Sequence, residues 1–372
     1  MIDLDNAVRN PNEYFYYSSL YKGIKTILLE TNESCLIGAI DKMRVFDNYI
    51  FIMDCFIAKS LYVFDKEGRF IRKIGNNGQG PGEYVQLSDF TIDKENKIVY
   101  VLDSHLSQIN KYDITTGKFI HTVKLDQSVE SRNIEYVGGK LYADAYFREN
   151  SNNQYLLRTI QEPSGKEEHQ YLNVVEYNKG ICNTYAKQNN VFQPRENGNV
   201  VLIQWFMDHI IEITKDSVFP LIDIKSKNVL TSKDIKKAIE KDAYFFMSEI
   251  TQLNKYHYIH NYIEQKNWIL YNCFEGHTPL RIMLDKQTSE VRIFERTRDD
   301  LLVREKDYAY IFPPVACYDT YGVYYHVVPM FMSEFQAAAK EGALSPNLDK
   351  LEDLKNLEED ANPVILYYEF KD

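Results

Sequence analysis

Apolar and polar positions follow one another along this chain in short blocks, and two stretches repeat the same order of blocks. From Arg44 to Gly75, "VFDNYIFIMD" leads into "SLYVFDKEGRFIRKIG"; from Asp89 to Leu125, about 49 residues later, "DFTIDKENKIVYVLD" leads into "SQINKYDITTGKFIHTVKL". Asp54 matches Asp103, Gly68 matches Gly117, and Phe70 matches Phe119. Each copy reads as an apolar strand ending in Asp, a short turn, a strand ending in an aromatic residue and Asp, a Gly-containing hairpin, and a third strand starting at the Phe. A fixed period of this size, built from short strands, predicts four-stranded antiparallel propeller blades.

Weaker units continue the rhythm. "GGKLYADAYF" with "NQYLLRTIQEPSGKEEHQYLNVVEY" keeps the order of strand, hairpin and strand without the Asp and Phe markers. A fourth unit runs through "NVVLIQWFMDHIIEITKDSVFPLIDI" and a fifth through "YHYIHNYIEQKNWILYNCFEGHTPLRIMLDKQTSEVRIFER". Two segments break the pattern with helical spacing. In 231–255, Ile235, Ile239, Phe246 and Ile250 share a face and Ser232 reads as the cap; in 333–357, Ser333 with Gln336, and then Ser345 before Pro346, read as helix starts. Setting the inserts aside leaves room for roughly six blades of about 50 residues. The isolated last strand, Val364 to Phe370, is expected to share a blade with the N-terminal 40 residues and so close the ring. The fold class is thus all-β, a six-bladed β-propeller with two short helical insertions, read as a single domain over 1–372.

Composition narrows the partners. The chain has 372 residues and a formal charge of -11, with no long basic run, so nucleic acid is excluded as a partner. Its 29 Tyr and 20 Phe suit half-buried pleated surfaces. Cys35, Cys55, Cys182, Cys273 and Cys317 are odd in number and lack a CxxC pair, which gives neither a disulfide framework nor a zinc knuckle. Cys35 and Cys55 read as small buried hydrophobes. The longest apolar runs fall well short of a membrane span, and the charged N-terminus lacks an export signal.

No motif calls for a cofactor, a metal or a catalytic residue. "GQGPGEY", residues 78–84, lacks the Lys and Ser or Thr of a phosphate loop and reads as an inter-blade turn; the sharper alternative places Gln79, Glu83 and Tyr84 at a ligand site on the channel mouth. Asp54, Asp65, Asp103 and Asp113 recur from blade to blade, as turn-formers do, rather than converging as metal ligands must. Asp103, Ser104 and His105 are adjacent and cannot form a triad among themselves. His257 with His260, and Cys273 with His277, lack ligand spacing. Arg195 and Trp205, with Asp208 nearby, carry the chemistry of sugar or carboxylate binding.

The runs "LLETNESCLIGAIDKMRVFDNYIFIMD", "LYVFDKEGRFIRKIGNNGQGPGEY", "DFTIDKENKIVYVLD" and "EEDANPVILYYEF" resemble the six-bladed propeller proteins abundant in Bacteroides and their relatives, a family of NHL-like shape whose members mostly have no assigned activity. The resemblance implies a missing secretory leader, with a lipid anchor on it, and a periplasmic or cell-surface location; without such a leader the protein would be cytoplasmic. A rigid ring with a central channel and no constellation for nucleophilic, metal or phosphoryl chemistry reads as a binding or interaction module for a protein or carbohydrate ligand rather than an enzyme. The rival expectation is a propeller hydrolase or lyase acting on a sugar or lactone in the central channel.

Overall fold

The computed structural model describes residues 1–126, 130–145, 154–180, 191–195, 197–242, 245–304, 315–358 and 360–371. Six antiparallel sheets form the blades of a propeller. Blade 1 comprises Lys42–Phe46, Tyr49–Asp54, Ser60–Asp65 and Phe70–Lys73, and blade 2 comprises Leu87–Asp93, Ile98–Asp103, Gln108–Asp113 and Phe119–Lys124. Blade 3 comprises Ile134–Val137, Lys140–Asp144, Tyr155–Gln161 and Lys166–Asn173. Blades 4 and 5 have the inner strands Phe192–Pro194 and Tyr256–Glu264 and the outer strands Val218–Lys225 and Val291–Phe294. Blade 6 is composite: Val315–Tyr318, Gly322–His326 and Ile365–Phe370 come from the C-terminal part, and its outer strand is Tyr21–Ile27. The ring is therefore closed by pairing the two ends of the chain, which leaves neither end blade with an open edge.

The residues before that outer strand act as a strap. Ile2–Asp3 adds a parallel fifth strand to blade 4 and Val8–Arg9 adds one to blade 5, while Tyr14–Tyr16 pairs with Arg296–Arg298. Arg9 fastens the strap through Glu275 at 2.7 Å and Glu295 at 2.8 Å. Farther along, the Phe15 and Tyr17 rings flank the Arg281 guanidinium, at 4.7 and 5.1 Å.

Inner strands are packed on both faces by neighbouring blades, most completely in blade 2, where Leu87–Asp93 is buried throughout. Outer strands face solvent, as in Phe119–Lys124. The apolar core divides by blade interface. One cluster joins Phe51 and Val63 of blade 1 to Phe90 and Val101 of blade 2, and another joins Ile50 and Phe64 of blade 1 to Tyr324 and Ile365 of blade 6.

A buried carboxylate locks the first three blades. Asp54 Oδ2 accepts the N–H groups of Gly38 and Ala39 at 2.8 and 3.0 Å, on the segment entering blade 1, while Oδ1 accepts those of Ile57 and Ala58. Asp103 does the same for Val85, His105 and Leu106. Blade 3 retains the device, contrary to the sequence reading: Asp144 accepts the N–H groups of Arg132 and Asn133 at 2.7 and 2.8 Å. In blade 4 the corresponding ladder position is Ile203, whose N–H bonds Val191 O just as Asp144 N–H bonds Asn133 O.

Both breaks in the β rhythm contain helices, Ser232–Lys241 and Phe246–Thr251 in one and Met332–Lys340 and Leu351–Lys355 in the other. Ile235, Phe246 and Ile250 are buried in one cluster, and Leu348 and Leu354 in another. Three start signals differ from the sequence reading. Thr231, not Ser232, caps the first helix in a capping box with Asp234. No side chain caps Met332–Lys340: Phe331 precedes it, Ser333 lies inside its first turn, and Gln336 donates to the Lys355 and Leu357 carbonyls. The last helix begins at Leu351, after Lys350 in left-handed backbone, rather than at Ser345.

Candidate functional site

The turns joining first to second strands gather on one face of the ring, at the mouth of a central cavity of about 280 Å³. Its wall comes from Arg44 and Val45 of blade 1, Asp93 to Glu95 of blade 2, Glu135 and Tyr136 of blade 3, Arg195 and Asn199 of blade 4, and Cys317 to Thr320 of blade 6. Glu264 of blade 5, which does not line the cavity, holds Arg195 by two bonds of 2.6 and 2.9 Å. The loops between blades and the helical inserts lie on the opposite face, where the inner strands begin.

Two charge networks brace the wall. In the first, Lys42 Nζ lies 2.7 Å from Asp89 Oδ1 and 3.8 Å from Glu135, and Arg44 bonds Glu135 at 3.4 Å and the Phe192 carbonyl at 2.8 Å. Thr91 Oγ1 donates to the other Glu135 oxygen at 3.0 Å. These residues tie the inner strands of blades 1 to 4 together across the ring. Burial lowers the Lys42 pKa and raises that of Asp89, each opposed by the charge of the other. Such a pair, fully removed from water, holds geometry better than it adds stability.

The second network joins blades 4 and 5. Arg195 pairs with Glu212 and Glu264, Lys286 reaches Glu264 at 2.5 Å, and Tyr262 donates to Glu264 at 2.9 Å. Burial alone would raise the Glu264 carboxyl, but Arg195 and Lys286 outweigh it and hold its pKa below the usual range. Asp319 is engaged by the Tyr321 and Gly322 N–H groups and by the Tyr324 and Tyr367 hydroxyls. Tyr136 is fixed by stacking on Tyr100, with centroids 5.4 Å apart. Burial pushes the Cys317 thiol up to about 12, so it stays protonated. Among the described residues, the Lys94 and Glu95 side chains have no hydrogen bond or ion pair, and they stand at the mouth as one free cation beside one free anion.

Of the five residues singled out from sequence, only Arg195 lines this cavity. Gln79, Glu83 and Tyr84 lie in the connection from blade 1 to blade 2. There Glu83 Oε2 accepts the Gly80 N–H at 2.7 Å, Tyr84 is wholly buried in the interface, and Tyr112 and Asn110 clamp the Gly82 and Glu83 carbonyls. Trp205 sits in the turn between the second and third strands of blade 4, against Tyr258 at 4.9 Å, at the opposite end of that blade from Arg195. Asp208 pairs with Lys179 instead. Asp65 and Asp113 accept local N–H groups, from Glu67 and Arg69 and from Thr116, as turn-formers. The four described cysteines, Cys35, Cys55, Cys273 and Cys317, are buried thiols; Cys182 lies outside the described residues. Arg44 and Glu135 escaped the sequence reading, although a charge inside "KMRVF" or "IEYV", where neighbours are apolar, is the signal that marks them.

Over residues 1–369 the chain matches a family defined as a domain of unknown function, DUF4934. The chain belongs to the DUF4934 family. Among solved structures, a candidate exported protein of Bacteroides fragilis NCTC 9343 superposes with a TM-score of 0.80 at 17% identity, over 98% of this chain and 99% of that one. A DUF4221 family member from Bacteroides vulgatus ATCC 8482 gives 0.51 at 11% identity, over 95% and 97%. Likenesses at such identities establish the DUF4934 chain's propeller fold and nothing of its chemistry. No curated protein matches the chain. Among the described residues, no helix is long and apolar enough to cross a membrane.

Proposed function

We propose that this DUF4934 propeller is an extracytoplasmic binding module that holds a small, neutral, polyhydroxylated ligand, the end of a carbohydrate chain, in its central cavity. The observation that carries the reading is the state of the charges on the wall. Arg44, Arg195 and Asp319 are already engaged by protein partners, and the free pair Lys94 and Glu95 is balanced. An anion drawn to Lys94 would meet the charge of Glu95 beside it, and a cation the reverse, whereas hydroxyl groups can both donate to Glu95 and accept from Lys94. The fixed Tyr136 ring adds a flat apolar face on the same wall. The extracytoplasmic placement is supported by the likeness to the candidate exported protein of Bacteroides fragilis.

The test is a glycan array followed by calorimetric titration of the best hit, with Thr320→Trp as the blocking variant. Thr320 is an exposed cavity-mouth residue, so the indole would occupy the opening without entering the core. We expect at least tenfold weaker binding with an unchanged melting midpoint. Glycan binding that survives Thr320→Trp intact would remove the cavity from consideration, and failure of every glycan, with capture of a protein ligand instead, would remove the ligand class.

A further inference from the structure

A second recess lies on the other face, between blades 4 and 5, and it contains two polar atoms with nothing to bond. Trp205 and Tyr271 both line it, and Trp205 Nε1 and Tyr271 Oη are buried atoms with no hydrogen-bond partner among the described residues. Folded chains rarely leave two such groups on one small void. The recess offers about 20 Å³ to the centre of a water-sized sphere, and its empty space is about 370 Å³ counted with the part open to solvent. Leu4, Phe206, Leu230 and Ile259 make the cleft mostly apolar.

The recess is rigid where it matters. Trp205 is held by a column of stacked rings, Tyr258 at 4.9 Å, then His260 at 4.5 Å from Tyr258 and Phe274 at 5.7 Å from His260. The inner strand carrying Tyr258 and His260 is bulged on both sides of His260, with Tyr258 at φ 54, a left-handed conformation that a bulky residue holds only under strain. At the rim, Lys179 is neutralised by Asp208 at 2.5 Å and donates to the Phe206 carbonyl at 2.7 Å, so no unpaired charge awaits a ligand there.

We propose that this recess is a second binding site, for a small apolar molecule bearing one carbonyl-type oxygen. The indole N–H can only donate, so the ligand must bring an acceptor. The Tyr271 hydroxyl, sealed from solvent, is a second unpartnered donor on a residue of the same recess. The apolar body of the ligand lies against the apolar lining, with its oxygen towards Trp205 and Tyr271. This site is separate from the central cavity and does not depend on the carbohydrate reading.

The test uses the full chain with Trp268→Phe, which leaves Trp205 as the one remaining tryptophan of the two in the sequence. Its indole N–H signal is followed by nuclear magnetic resonance during titration with acetophenone and, separately, with ethylbenzene, which has a similar shape and no oxygen. We expect a saturable shift with acetophenone and at least tenfold weaker binding of ethylbenzene. Tyr271→Phe should weaken acetophenone binding at least threefold with no loss of melting temperature, since the hydroxyl bonds nothing in the unliganded fold. Three results would overturn the site: no shift with acetophenone, equal affinity for the two probes, or a bound water on the Trp205 N–H that acetophenone does not displace.

Discussion

Blades 1 to 3 and blades 4 to 6 are held by different means. In the first half, each second strand ends in a buried aspartate, Asp54, Asp103 or Asp144, that accepts N–H groups on the segment entering its own blade. Each lock works within a short span of chain. In the second half, the N-terminal strap lies along the outer edges of blades 4 and 5 and completes blade 6, so Ile2 pairs with Ile224 and Val8 with Arg292. Those contacts close very long loops, whose ordering cost must be met before they stabilise anything. The central cavity sits where the halves meet, with Arg44 and Glu135 from one and Arg195 from the other.

The largest effect should come from breaking closure itself. Ending the chain at Asn362 removes Ile365–Phe370, the strand between Gly322–His326 and Tyr21–Ile27, and bares two edges. We expect no soluble monomer on size-exclusion chromatography; a truncated chain as stable and monomeric as the parent would show that closure is not the shared blade. Next in size is the lock of the first half. Asp54→Ala strips the acceptors from four N–H groups and should cost about 2–5 kcal/mol in urea unfolding. Arg9→Ala in the strap, where the side chain is partly exposed, should cost about 1 kcal/mol. The reverse ranking would erase the distinction between the halves.

A smaller effect separates structure from ligand chemistry in the 78–84 turn. Gly82 has φ +74, and an added Cβ would meet the Phe119 side chain at 2.7 Å, so Gly82→Ala should cost about 1–3 kcal/mol. Gly80 lacks the left-handed conformation, and its Cβ would meet only Glu83, so Gly80→Ala should be milder. Glu83→Gln should cost less than 1 kcal/mol. Equal melting midpoints for Gly82→Ala and Glu83→Gln would contradict this.

In the parent the smallest net effect is that of pH, because two dependences in the second half oppose each other. Burial pushes His326 down to about 4, so the unfolded chain binds the extra proton and stability drains as pH falls from about 6.5 towards 4. Burial pushes Asp299 up to about 6 against the Tyr368 hydroxyl and two N–H groups, so the folded chain binds the extra proton and stability drains as pH rises from about 4 to 6. The two nearly cancel in the parent. Asp299→Asn should therefore make acidification more damaging, and His326→Gln should make it less so, each by about 1.4 kcal/mol per pH unit inside the window. Parallel stability curves against pH for parent and variants would refute the assignment.

The first half was legible in sequence because its locks are local and repeated, so Asp54 and Asp103 announce themselves with their strands. Asp144 plays the same part yet was read as missing, since no Gly hairpin and Phe follow it at the expected offsets. The strap left almost no signal: two-residue parallel strands have no periodicity, and their partners are more than 200 positions away. The cavity was legible only at Arg195, and there for the wrong neighbour. Trp205 is close in sequence, but Glu264, 69 positions on, is what holds the guanidinium. Charges buried on inner strands are intelligible only once the ring brings six of those strands together.

The central claim, that the two halves are secured independently, is tested most directly by amide hydrogen exchange on the chain lacking residues 1–16. That deletion removes the strap from blades 4 and 5 and keeps the Tyr21–Ile27 strand that closes blade 6. The account predicts faster exchange in Val218–Lys225 and Val291–Phe294, with Tyr49–Asp54 and Ile98–Asp103 protected as in the parent. Equal loss of protection in all four strands would contradict it.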